Sequence, residues 1–156
     1  MERPGSIEPE GVFDGLSGGA IALGAFVDLG ATILGSLLLL GWLAPAALGP
    51  DEAEAAEALA AHAASDVGCA LELALGIFCT ALGAFVGARR AGRLHVRHGG
   101  WIAVASTAGV ALLMLLTPPD AQEPAVPLWC QALAWILIIP AGVSGGALAG
   151  LASEQG

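Results

Sequence analysis

Four runs of apolar residues, at about 18–44, 67–88, 100–117 and 128–151, are each long enough to cross roughly 30 Å of hydrocarbon as a helix. No other feature limits the fold so much. A span in lipid must satisfy its own backbone hydrogen bonds, so runs of this length and continuity read as helices. What separates them is short: an acidic, Ala-rich connection (GPDEAEAAEALAAHAASD), an Arg-rich one (ARRAGRLHVRHGG) and a Pro-rich one (TPPDAQEPAVP). The expected fold is an all-α membrane protein, four transmembrane helices in one antiparallel bundle spanning residues 18–151, with tails at 1–17 and 152–156. Asp51, Glu52, Glu54 and Glu57 follow Pro50 closely, where acids complement a helix dipole, and predict a short surface helix in the first connection.

Composition agrees with this reading. Of 156 residues 56% are hydrophobic and only 12% charged, about half the charged share of an ordinary soluble domain. The net charge of −9 comes from acids gathered mainly in connections and tails, so it reads as solvated ends. There is no basic stripe interleaved with aromatics and no Gly-rich phosphate loop followed by Lys, so no nucleic-acid partner is expected. No C-x-x-C or H-E-x-x-H spacing occurs, and neither a metal nor a cofactor is expected. The segment before the first run, MERPGSIEPEGVFDG, has one Arg against four acids, and the run far exceeds a signal-peptide core. That run is expected to stay as a helix.

Orientation follows from charge. Four of the five basic residues, Arg89, Arg90, Arg93 and Arg97, lie in the connection between the second and third runs. The positive-inside bias places that connection, and with it both termini, in the cytoplasm. Arg as the sole cation, with abundant Gly and Ala, fits a GC-rich bacterial genome, hence a bacterial cytoplasmic (inner) membrane. Trp42, Trp101 and Trp129 fall at run ends, where indole rings favour the headgroup zone, while Trp135 lies deeper.

Within the first run stands Asp28. A carboxylate at the centre of a span costs about 2.5–3.5 kcal/mol on insertion scales, so it should face protein or water. At 100° per residue its side carries Ile21, Gly24, Ala25, Ala31, Thr32, Gly35 and Ser36, nearly all small or hydroxylated, opposite Leu23, Phe26, Ile33, Leu34, Leu37 and Leu40. The second run repeats the pattern: Glu72 shares a face with Gly68, Cys69, Gly76, Cys79, Thr80, Gly83 and Gly87, with Ile77, Phe78, Ala81 and Phe85 away from it. In the fourth run Gly142, Gly146 and Gly150 recur every four residues. Such small-residue ridges allow close helix packing. Gly24, Gly35, Gly76, Gly83, Gly87, Gly142, Gly146 and Gly150 are therefore the expected packing glycines, with Asp28 and Glu72 turned inward.

The hexapeptide ALGAFV occurs twice, at 22–27 and 81–86, each time with its Gly on the small face and its Phe away from it. The flanks do not match and the helices run in opposite directions, so it reads as one packing unit used twice rather than as a duplicated half. Depth separates the two acids. Asp28 lies about 15 Å from Gly18, near the midplane, and Glu72 about 6 Å below Gly68. Level with Asp28 are Cys79, Thr80 and the turn before Pro140, so Asp28, Glu72, Cys79 and Thr80 are the intramembrane polar candidates. Cys69 and Cys130 stand near the same end and admit a disulfide, but small apolar thiols are the favoured reading of all three cysteines. His62, His95 and His98 are read as loop residues, the last two sharing the surface role of the Arg-rich connection.

The segment GIFCTALGAFVGARRAGRLHVRHGGWIAV, with GAFVDLGATILGSLLL before it and PAGVSGGALAG after it, resembles a group of small uncharacterised bacterial four-helix integral membrane proteins. Asp28, the stretch Ala88 to Arg93, and His98 with Gly99 carry the likeness, which implies the bundle but no assigned activity. A weaker similarity, the single carboxylate in a first helix, links the chain to the small multidrug exporters. They use Glu there, and they lack the long acidic connection and the strong Arg asymmetry. The expectation is a non-enzymatic packing, scaffold or accessory protein, in contact with lipid and either self-associating or part of a larger membrane complex. The alternative is a small proton-coupled transporter using Asp28.

Overall fold

The computed structural model describes residues 11, 13–47, 57, 58, 60–62, 64–117 and 126–155. Four long helices make up most of them: α1 (Gly18–Ala47), α2 (Asp66–Ala91), α3 (His95–Leu116) and α4 (Leu128–Glu154). All four are long and apolar enough to cross a membrane. The chain is an all-α, multi-pass bundle. In the first connection, residues 57, 58 and 60–62 are helical, while Asp51, Glu52 and Glu54 lie outside the described residues.

Local signals set the helix ends. Ser65 caps α2 by accepting the Gly68 N–H on its hydroxyl at 3.1 Å, with Asp66 in the first turn. At the other end Arg89 and Arg90 occupy the last turn, and Gly92 takes the left-handed conformation (φ 69°) that closes a helix. Leu94 also adopts positive φ, at 49°, so α2 turns into α3 within three residues. One consequence corrects the sequence reading: His95 and His98 belong to α3 rather than to a loop.

Helix α2 is the central member. It packs on α1, α3 and α4, and α3 also touches α1 and α4, whereas α1 and α4 do not meet among the described residues. The contacts are backbone to backbone. A Cβ on Gly83 would stand 2.5 Å from the Gly24 carbonyl oxygen, and one on Gly24 would stand 2.8 Å from that of Gly83. The two copies of ALGAFV therefore cross each other at their glycines. On the other side of α2, Gly145 lies directly against the Ala81 carbonyl, and between α3 and α4 Gly99 lies against that of Gly142. Ala81, placed on the lipid side by its sequence position, thus belongs to a second packing face that α2 needs for α4.

The bundle is not uniform along its length. Toward the Arg-bearing α2–α3 turn, Ala20, Gly24, Gly83, Ala84, Gly87, Ala88, Gly99, Ile102, Ala103, Gly142, Gly145, Gly146 and Ala149 are all buried. Toward the other end α3 is exposed continuously over residues 110–116 and α4 over 131–136. Buried Gly68, Cys69 and Cys130 are the exceptions there. One half is a sealed plug and the other is splayed.

The described residues just before α1 dock on the sealed half. Phe13 packs against Trp101 with ring centroids 4.9 Å apart, and Arg97 donates to the Gly11 carbonyl at 3.4 Å. His98, wholly enclosed at 0% exposure, makes the central link. Its Nε2 accepts the Ser17 N–H at 2.9 Å, which leaves Nδ1 to donate to the Leu94 carbonyl at 3.1 Å. The surface role read for His98 is replaced by an internal one, because Ser17 at the start of α1 has an N–H without a helical partner. His95 is partly buried against Gly146 and Gly150.

Two outcomes follow from this packing. Gly145→Ala drives a methyl into the α2 backbone and lowers stability by about 1–3 kcal/mol, seen as a fall in thermal midpoint in detergent, whereas Gly76→Ala, with open space at its Cβ, leaves the midpoint unchanged. Replacing His98 by Ala strips the Ser17 N–H of its acceptor and costs about 1–3 kcal/mol in the same assay. An unchanged midpoint in His98→Ala refutes the link.

Candidate functional site

Where the sealed and splayed halves meet, a cleft of about 280 Å³ opens between the helices, and every helix contributes to its wall. Asp28 and Thr32 come from α1, Glu72, Gly76 and Thr80 from α2, Ser106 and Val110 from α3, and Cys130, Ala134 and Ile138 from α4. The wall is mostly apolar, with its polar groups concentrated around Asp28.

Asp28 is 3% exposed. It is held there because Gly83 admits it: a Cβ on Gly83 would come within 2.7 Å of the Asp28 Cβ. Thr80 Oγ1, one turn from Gly83 on α2, donates to Asp28 Oδ1 at 3.2 Å. The hydroxyls of Ser106 and Thr32 face the same carboxyl group, and the Cys79 thiol faces Thr32. Three of the four polar candidates, Asp28, Cys79 and Thr80, are thus brought to one level.

Glu72 is not among them. Its carboxylate is exposed and accepts the Ser36 hydroxyl at 2.8 Å. Position 72 is eight residues from Thr80, and Ser36 eight from Asp28, so the two polar contacts lie about 12 Å apart along the α1–α2 seam. The inward placement of Glu72 is corrected to a place on the open side of the cleft.

The expected packing glycines divide in the same way. Gly24, Gly83, Gly87, Gly142 and Gly146 all press on neighbouring backbone, and Gly35 meets the Leu75 side chain. Gly76 has nothing within 4 Å of its Cβ position and lines the cleft, while Gly150 stands at an ordinary 3.6 Å from His95. Both lie outside the tight crossings. Gly99 and Gly145, which the sequence reading passed over, lie within them. Their signal was present as Gly pairs at 99–100 and 145–146.

Ser106 was also passed over. At 2% exposure, its hydroxyl has no partner at hydrogen-bond distance. Other hydroxyls in these helices satisfy themselves on the preceding turn, Thr107 on the Ala103 carbonyl at 2.8 Å and Ser144 on that of Pro140 at 2.7 Å. Ser106 and Thr80 instead direct theirs to the cleft floor.

Cys69 and Cys130 form a disulfide between α2 and α4, with Cα atoms 6.4 Å apart, inside the range that such a bond spans. The favoured reading of free thiols is corrected for this pair. Cys79 remains free and buried. Nearby, Trp129 Nε1 donates to the Asp66 carboxylate at 3.2 Å and ties the same two helix ends. The splayed half is therefore fastened along its α2–α4 edge.

The arginines stay at the opposite end. Arg89, Arg90 and Arg93 are exposed, Arg89 standing 6.0 Å over the Phe85 ring. Thr80 is nine residues from Arg89, about 13 Å along α2, so no fixed positive charge of the described residues stands at the level of Asp28. The described residues bring no three His, Cys, Asp or Glu side chains together. What the arrangement offers chemically is one carboxyl group and several hydroxyls on the floor of an apolar cleft, suited to a proton or a hard cation. No family model, curated protein or solved structure matches this chain.

The bridge is tested directly by alkylation. Unfolded without reductant, protein purified from the membrane takes up one maleimide, at Cys79, and three after reduction. Uptake at three sites without reductant removes the disulfide.

Proposed function

We propose that this chain is a small, non-enzymatic carrier of the bacterial cytoplasmic membrane, with the cleft as its solute path and Asp28 as its exchangeable charge. The observation that carries this reading is the cleft itself: an enclosed carboxyl group borders a cleft that extends past Gly76 and Glu72, away from the Arg-bearing turn, while glycine crossings close the bundle toward that turn. Access from one side at a time is what a carrier requires of its resting shape. The concentration of Arg89, Arg90, Arg93 and Arg97 at the sealed end supports a cytoplasmic position for that end and both termini. The cleft then opens outward. Its apolar wall favours a solute with substantial apolar surface, and the titration of Asp28 links its passage to protons.

A second reading, an accessory subunit or self-associating packing protein, is favoured by a different observation. Residues 110–116 of α3 are exposed on every side, and a lone helix end of that kind suits a further helix as well as it suits lipid.

Infrared spectroscopy of the protein in bilayers separates the two. The carrier reading expects the protonated carboxyl band that Asp28→Asn removes to shift promptly in heavy water and to vanish as pH is raised. A band indifferent to both means a sealed, structural aspartate, and leaves the packing reading.

A further inference from the structure

We propose that Asp28, Thr32, Thr80 and Ser106 form a binding site for a single, partly dehydrated alkali cation, a proposal that rests on the carrier reading and names its coupling ion. Its first ground is convergence: one carboxyl group and three hydroxyls, carried by three helices, line the same cleft, where Thr80 donates to Asp28. Its second is independent of the first. Ser106 Oγ is enclosed yet has no hydrogen-bond partner, although a helical serine can ordinarily satisfy itself on its own preceding turn as Thr107 does. A buried hydroxyl left without a partner costs free energy, which a ligand at that point recovers.

Charge selects the ligand. Among the described residues no arginine stands at this level of the bundle, so a carboxylate here is neutralised either by a proton or by a mobile cation. A monovalent ion makes the site neutral overall, whereas a divalent ion leaves a net positive charge in low dielectric. The second carboxylate that could compensate, Glu72, is bound to Ser36 about 12 Å away. The four proposed ligand groups are all oxygen, which suits a hard ion. Hydroxyls serve this purpose without adding charge: each can keep its proton on a carboxylate or carbonyl oxygen while its lone pairs turn to the ion. Water in the cleft supplies the remaining ligands. Where Asp28 begins protonated, entry of the cation releases that one proton, so the two ions compete for a single place.

The test is radiosodium binding to the purified full-length protein in lipid nanodiscs, read by scintillation proximity in sodium-free alkaline buffer. Wild-type protein binds the label saturably, unlabelled sodium displaces it, and acidification displaces it. Asp28→Asn weakens binding roughly tenfold or more, and Ser106→Ala, which removes no charge, about fivefold. Thr107→Val, one residue along α3 but bonded to its own helix, keeps wild-type affinity. Two results overturn the proposal: no saturable binding to folded wild-type protein, or binding by Ser106→Ala as tight as wild type. If binding is absent while the Asp28 carboxyl band still exchanges in heavy water, the carrier reading survives with the proton as its only ion. If the band does not exchange, both readings fall together.

Discussion

The bundle depends on helix backbones coming into direct contact at glycine. In lipid no hydrophobic gain draws two apolar helices together, so association rests on close packing and on whatever polar contacts that packing permits. Gly24 against Gly83, Gly99 against Gly142 and Gly145 against Ala81 bring the helices near enough for carbonyl oxygens to rest where a methyl would otherwise be. These crossings lie in one half of the membrane thickness. The order of that half comes from shape, and the openness of the other half comes from Leu-rich and Ile-rich surfaces that have no such ridges.

The position of Asp28 follows from the same crossings. It is one turn beyond Gly24 on α1, where the helices have begun to part but are still close enough for Thr80 to reach it. One turn nearer the sealed end, a carboxyl group would have no space beside Gly83. Several turns farther out it would stand among exposed residues, as Glu72 does. The charged group therefore occupies the boundary between plug and cleft, where it is buried by protein and still borders a space that every helix lines.

Much of this was legible in the sequence, and the gaps have physical causes. Span number and approximate bounds follow from hydropathy because lipid tolerates little else. The doubled ALGAFV and the spacing of small residues around Asp28 marked the α1–α2 seam, because helical periodicity places such residues on one side. Periodicity assigns a helix one inner face, however, and α2 has three neighbours. Ala81 was lost for that reason. Glu72 and Gly76 were lost because a face that is inward at one depth becomes open where the helices diverge, and no single-helix projection records divergence. His98 was placed on the surface because its partner is a backbone N–H, that of Ser17, which leaves no mark in sequence. Cys69 and Cys130 were ambiguous because two thiols at one depth pair only if their helices are adjacent, and adjacency of α2 with α4 is a fact of the bundle.

The two fastenings of the molecule also limit how it can move. At the sealed end His98 joins the start of α1 to α3, and at the open end the Cys69–Cys130 bridge joins α2 to α4. The four helices thereby form two tied pairs, each held at one end of the membrane. Among the described residues α1 and α4 do not touch, so the pair of α1 with α3 meets the pair of α2 with α4 through the α1–α2, α2–α3 and α3–α4 contacts. Glycine crossings stand in the α1–α2 and α3–α4 seams. Asp28 and Thr80 lie on opposite sides of that division, one on α1 and the other on α2, and the bond between them crosses it.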